Sequence, residues 1–162
     1  MSVAFSDYRV INEIYSNERI SVYRGFRIKD EKSVILKVLK SDFDQDDISH
    51  LKHEYILLQR LNLEGVIHAY DLEKQNGHYT LVLEDMTDGI TLADFIKNTK
   101  LTIEEFLFLG INIAQALFEL HLAHIVHKDI NPNNIIVSTD GRNIKLIDLS
   151  IATLSLEAAC PC

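Results

Sequence analysis

His127-Lys128-Asp129-Ile130-Asn131-Pro132-Asn133-Asn134 sets an acid, Asp129, five positions before an amide, Asn134, and a second acid opens Asp148-Leu149-Ser150 farther on. Between them, Ile135-Ile136-Val137 and Ile144-Lys145-Leu146-Ile147 are short apolar runs about Asp140-Gly141, which reads as a strand hairpin. A hairpin returns the chain close to where it left, so both acids and the amide can converge on one point. That is the layout needed to hold a divalent cation beside a positioned hydroxyl. Taken alone, Asp129 and Asn131 have a plainer reading as Asx residues shaping a turn before Pro132. His127, with His121 and His124 before it, reads as a packing and hydrogen-bonding residue rather than a proton shuttle.

Working back from that segment, Thr102-Ile103-Glu104-Glu105 has capping-box spacing for a helix reaching about His121. Its polar positions Glu105, Asn112, Gln115 and Glu119 make one narrow stripe, so the pattern predicts burial on nearly all sides. Thr91 opens a shorter helix (Leu92, Phe95, Ile96), after a polar connection from Asp85 to Gly89. Val66 to Lys74 and Tyr79 to Glu84 read as strands around the hairpin pair Asn76-Gly77. Acidic Asp42, Asp44, Asp46 and Asp47 precede Ile48, Leu51, Tyr55, Leu58 and Leu61, which predicts a helix of about four turns with its negative end favourably placed. From Tyr8 to about Leu39, Tyr, Val and Ile runs broken at 16–19 and 29–32 predict a meander of three antiparallel strands. Lys37 is the only charge in its apolar strand, where burial without a partner would be costly.

The order of these parts resembles that of eukaryotic-type (Hanks-type) protein kinases. The 127–134 segment is similar to their catalytic loop, His-Arg-Asp-x-x-x-x-Asn, and Asp148-Leu149-Ser150 to their Asp-Phe-Gly. Val34-Ile35-Leu36-Lys37 resembles the third-strand Val-Ala-Ile-Lys, and His53-Glu54-Tyr55 falls on the helix where that family has its paired Glu. A narrower likeness, to kinase domains that open large bacterial signalling proteins, rests on Glu13-Ile14-Tyr15, Val22-Tyr23-Arg24-Gly25 and His-Lys-Asp-Ile-Asn-Pro.

The resemblance implies an α+β, protein-kinase-like fold: a five-stranded antiparallel lobe with one helix over 1–84, a hinge at 85–90, and an incomplete, mainly helical lobe over 91–162. It implies ATP and Mg2+ as cofactors and a protein substrate as partner. Lys37 would grip the α- and β-phosphates, and Glu54 would hold Lys37, with Glu13 and Glu84 as competing carboxylates. Asp129 would be the base, and Asn134 and Asp148 the metal ligands. Val22, Ile35, Leu83, Ile136 and Ile147 would enclose the adenine, with backbone groups of Glu84 and Met86 bonding its edge.

Departures from the family pattern weigh on activity. The phosphate-covering loop, Gly-x-Gly-x-x-Gly-x-Val in the family, here runs from Tyr15 to Val22 with no glycine, so its amides should approach phosphate less readily. Ile35 stands where alanine is usual and narrows the adenine slot, and Asn131 replaces a lysine that reaches the γ-phosphate. Lys128 replaces the usual arginine and Ser150 the usual glycine. The sequence ends soon after Ser150, before an activation segment, Ala-Pro-Glu or peptide platform, which predicts a truncated or frameshifted reading of a longer gene and an exposed apolar patch on the second helix.

Composition narrows the alternatives. With 162 residues, 47% hydrophobic and 25% charged, the chain is neither disordered nor low in complexity. A formal charge of −8 without a basic run argues against nucleic acid. No apolar stretch approaches a membrane span and no secretory signal opens the chain, which predicts a cytoplasmic location. Cys160 and Cys162 are too few and too late for a disulfide or zinc framework. The expectation is an ATP-dependent protein phosphotransferase domain of serine/threonine type, inactive or weakly active in this form, with the remainder of a larger signalling protein as a further partner. Competing readings are a nucleotide-binding pseudokinase or scaffold module and a small-molecule kinase of the aminoglycoside or choline type.

Overall fold

Alternation of apolar residues in the first third of the chain builds a meander in the computed structural model, which describes residues 6–40, 43–75 and 77–155. Cys160, Cys162, Asp42 and Asn76 of the hairpin pair lie outside the described residues. The chain divides into two compact units, residues 1–59 with 68–87 and residues 60–67 with 88–162.

In the first unit, β1 (Tyr8–Ser16), β2 (Ile20–Arg27), β3 (Lys32–Leu39), β4 (Ala69–Gln75) and β5 (His78–Glu84) form one antiparallel sheet of order β1-β2-β3-β5-β4, with α1 (Gln45–Arg60) between β3 and β4. Every second residue of β3, namely Val34, Leu36 and Val38, joins Tyr8 and Val82 in a buried cluster against which Tyr23 and Tyr70 pack. The Tyr8 hydroxyl donates to Glu73, a bond between the two edge strands that curls the sheet on itself. Burial first, and that bond second, push the Tyr8 phenol above its ordinary range.

Helix α1 starts where Asp44 Oδ1 accepts the N–H of Asp47 at 2.8 Å and Asp47 Oδ2 accepts that of Asp44 at 3.1 Å, a reciprocal cap. Ile48, Leu51, Glu54, Leu57 and Leu58 make its buried face, whereas the expected Tyr55 is only half-buried and Leu61 lies past the helix end.

The second unit carries β6 (Gly89–Thr91), α2 (Leu92–Asn98), α3 (Ile103–Leu122), β7 (Ile125–Val126), β8 (Ile135–Ser138), β9 (Ile144–Leu146) and β10 (Thr153–Leu154). Thr91 caps α2, and Thr102 with Glu105 closes the expected capping box on α3. The β8–β9 hairpin turns at Gly141, whose φ of +71° favours glycine. Strand β6 adds to that hairpin and β10 pairs with β7; both are too short for a periodic signal.

Two expectations are corrected. Val66 to His68 are not part of β4: Val66 bridges Leu146 in parallel, and Ile67 donates to the Leu146 carbonyl at 3.0 Å, so the backbone of this apolar run is claimed by β9. Helix α3 is not buried nearly all round. It buries Leu109, Ala116 and Leu120, while Ile103 is 74% and Ile111 68% exposed, so its apolar breadth exceeds what the described elements cover.

Candidate functional site

The face of β3 turned away from the tyrosine-rich cluster carries Lys37. Lys37 stands opposite Val22 and Leu81, and Ile35 opposite Arg24 and Leu83. Residues directly opposed across a sheet share a face, so Val22, Ile35 and Leu83 stand beside Lys37. Lys37 Nζ donates to Glu54 Oε2 at 2.7 Å, with 11% of the lysine side chain and none of the glutamate exposed. Of the competing carboxylates, Glu13 lies on the exposed strand β1, and Glu84 Oε2 accepts the His68 N–H at 3.2 Å. Charges so deeply buried are tolerated because each answers the other.

Glu84 and Met86, whose backbone groups were expected to meet adenine, flank a residue the sequence did not mark. Asp85 has 1% of its side chain exposed and accepts from Ser33 Oγ at 2.6 Å and Arg24 Nε at 3.1 Å. The backbone on its N-terminal side is tied as well, since Glu84 N–H donates to the His68 carbonyl at 2.8 Å. The connection from Glu84 to Met86 is thus fastened to β2 and β3 by a charge-assisted pair. No local signal announces Asp85, because its partner Arg24 is 61 positions away.

In the second unit the polar residues of the 127–134 segment meet directly. Asn134 Nδ2 donates to Asp129 Oδ2 at 2.7 Å and to the Asp129 carbonyl at 2.9 Å. Asn131 Nδ2 donates to Asp129 Oδ1 at 3.1 Å, while Asn131 Oδ1 accepts the Asn133 N–H at 2.9 Å and caps the 3-10 turn Pro132–Asn134. Asn131 therefore both shapes the turn and orients the acid. Both Asp129 oxygens are fixed by amides, and each keeps lone-pair capacity for a further donor.

Asp148 reaches this group through its neighbour, because Ile147 N–H donates to the Asn134 carbonyl at 3.0 Å. His127, 2% exposed, braces the same junction: Nε2 donates to the Ile147 carbonyl at 2.9 Å and Nδ1 accepts the Asp129 N–H at 3.4 Å. That is the structural role the sequence suggested for it. Lys128 and Asp148 adopt left-handed φ values of 68° and 62°, unusual for non-glycine residues and of a kind that gathers at functional sites. Ile136 is half-buried opposite Lys145, and Ile147 follows two residues on, so both belong to one face of the hairpin.

The oxygen atoms of Asn134 and Asp148 suit a hard cation such as Mg2+. Among the described residues no three His, Cys, Asp or Glu side chains gather as a metal site, so phosphate and water oxygens would have to complete the shell. No described helix is long and apolar enough to cross a membrane.

A model of the protein kinase domain matches residues 8–159. The chain is 31% identical over 160 residues to the probable serine/threonine-protein kinase PknB of Lactococcus lactis, covering 96% of this chain and 25% of that protein. It is 31% identical over 149 residues to the serine/threonine-protein kinase PrkC of Bacillus subtilis, covering 90% and 23% respectively. It is also 29% identical over 126 residues to mitogen-activated protein kinase kinase 2 of Arabidopsis thaliana, covering 76% and 34%. The chain spans about a quarter of the length of the two bacterial relatives.

Proposed function

This chain belongs to the protein kinase domain family, and from that premise we propose that it binds Mg-ATP and serves as a phosphotransferase domain of serine/threonine type with weak transfer of its own. The observation that carries the reading is the buried 2.7 Å pair of Lys37 and Glu54 together with an Asp129 held by two amides. Lys37 grips the α- and β-phosphates of ATP, and Glu54 keeps the ammonium in place. Asp129 accepts the proton of the acceptor hydroxyl, its carboxylate aimed by Asn131 and Asn134. Asn134 and Asp148 hold Mg2+, which when bound neutralises charge on the phosphates. Val22, Ile35, Leu83, Ile136 and Ile147 contact the adenine, and Glu84 and Met86 bond its edge through backbone groups that Asp85 keeps in register.

Weak transfer follows from two substitutions. Asn131 brings no cation to the γ-phosphate, and the glycine-free loop offers its amides less readily. The same features favour a second reading, a pseudokinase that binds nucleotide and recruits partners without transfer. A thermal-shift titration with Mg-ATP tests the first step, since a ligand that binds only the folded state raises its melting temperature. We expect a rise for the wild-type chain, its loss in Asp148→Asn, and slow labelling of a generic protein acceptor. No rise at millimolar ATP overturns the reading, and a rise without any labelling moves it to the pseudokinase.

A further inference from the structure

The β1–β2 connection is closed by its own side chain. Asn17 Oδ1 accepts two successive backbone N–H groups, from Arg19 at 2.9 Å and Ile20 at 2.8 Å. Successive amides converging on one oxygen form a nest, the arrangement by which a backbone loop holds an anion oxygen such as that of a phosphate. Here the oxygen comes from within the loop. The amide plane of Asn17 is oriented by its other end, where Nδ2 donates to Tyr15 Oη at 3.2 Å, so Oδ1 is the end turned to the nest.

Opening the nest would break more than these two bonds. Asn17 N–H donates to the Ile20 carbonyl at 2.9 Å and Lys40 N–H to the Arg19 carbonyl at 2.8 Å. Lys40 Nζ donates to Ser16 Oγ at 2.8 Å and also to the Asn17 carbonyl. Arg19 Nη1 pairs with Asp47 Oδ1 at 2.8 Å, fastening the loop to the first turn of α1. With no glycine from Tyr15 to Val22, the loop has no residue to which φ above zero comes without steric cost.

We propose that Asn17 is a specificity-determining residue that competes from within for the amides a nucleoside triphosphate would otherwise engage. With Asn17 Oδ1 occupying the nest, the loop adds little to the affinity for a polyphosphate chain. The chain then favours ATP over adenosine through Lys37 and the metal ligands alone, by less than a loop with free amides would give. This rests on the reading that nucleotide binds beneath this loop, and the test separates the two.

Dissociation constants of Mg-ATP and of adenosine are measured by titration calorimetry for the wild-type chain, Asn17→Ala, Asn17→Gly and Asn17→Asp. Alanine removes the acceptor without adding backbone freedom, and glycine guards against an alanine chain that fails to fold. Emptying a nest of two hydrogen bonds should tighten ATP binding by about tenfold in both and leave adenosine unchanged. Asn17→Asp keeps an acceptor and adds a negative charge, so it should bind ATP more weakly than the wild type. A constant ratio of ATP to adenosine affinity across the series, with adenosine still bound, overturns the role of Asn17 alone. A gain in Asn17→Gly but not in a folded Asn17→Ala overturns it too, because flexibility would then be the cause. If neither compound binds any variant, the nucleotide reading falls, and this role with it.

Discussion

Lys37 and Glu54 are an ammonium and a carboxylate taken almost wholly out of water, and their value is best seen by removing one without the other. Glu54→Gln strands Lys37 beside a neutral amide and should lower the unfolding free energy by about 3 kcal/mol in urea titration. Lys37→Met with Glu54→Leu should recover most of that loss while leaving no response to ATP, which would separate a functional pair from a merely structural one. Asp47 carries a second prediction. The N–H of Asp44, and after it the Arg19 guanidinium, hold its carboxyl below the ordinary value of 3.8. A depressed folded pKa contributes stability that is full above the unfolded value and is lost as pH falls through the folded one. Asp47→Asn should therefore flatten the fall of melting temperature below about pH 4 and change its slope little near neutrality. At this scale the sequence singled out Lys37, Asp129, Asn134 and Asp148 as candidates, because each sits in a short motif with fixed spacing. Asp85 and the double duty of Asn131 stayed hidden, since a carboxylate clamped by Arg24 and Ser33 exists only once β2 and β3 lie beside the residue that follows β5.

Elements with a full period were legible. The capping box of Thr102 and Glu105 and the acidic start of α1 located both long helices because the end of a helix is chosen by a few local hydrogen bonds. Strands of two or three residues such as β6, β7 and β10 offer no period to read, and the Val66–Ile67 run misled because an apolar stretch does not say which strand it will bond. Gly65 explains why that run sits where it does. A Cβ there would lie 2.5 Å from the Ala116 Cβ on α3, while the Gly65 carbonyl accepts the Leu146 N–H at 2.8 Å. Gly65→Ala should destabilise the chain by about 1–3 kcal/mol through overpacking, read as a lower urea midpoint. Adding Ala116→Gly should restore part of that loss, and additive losses would contradict close contact as the cause. Helix α3 teaches the opposite lesson, for its hydrophobic pattern reports a surface suited to burial, not one that the described residues bury.

At the scale of the molecule, the sequence conveyed the class of fold, and family membership agrees with it over residues 8–159. Its two groups of candidate residues come from different compact units, Lys37 and Glu54 from one and Asp129, Asn134 and Asp148 from the other. Within each unit the geometry is local and specific, and the function proposed above has both groups serve one nucleotide. Calorimetric titration of Mg-ATP into the wild-type chain, Lys37→Met, Asp148→Asn and the double variant tests it. Each single substitution should weaken binding by at least about tenfold, and the double should depart from the sum of the two by at least about 0.5 kcal/mol, as groups sharing one ligand do. Affinity untouched by either substitution, or losses that simply add, would contradict it.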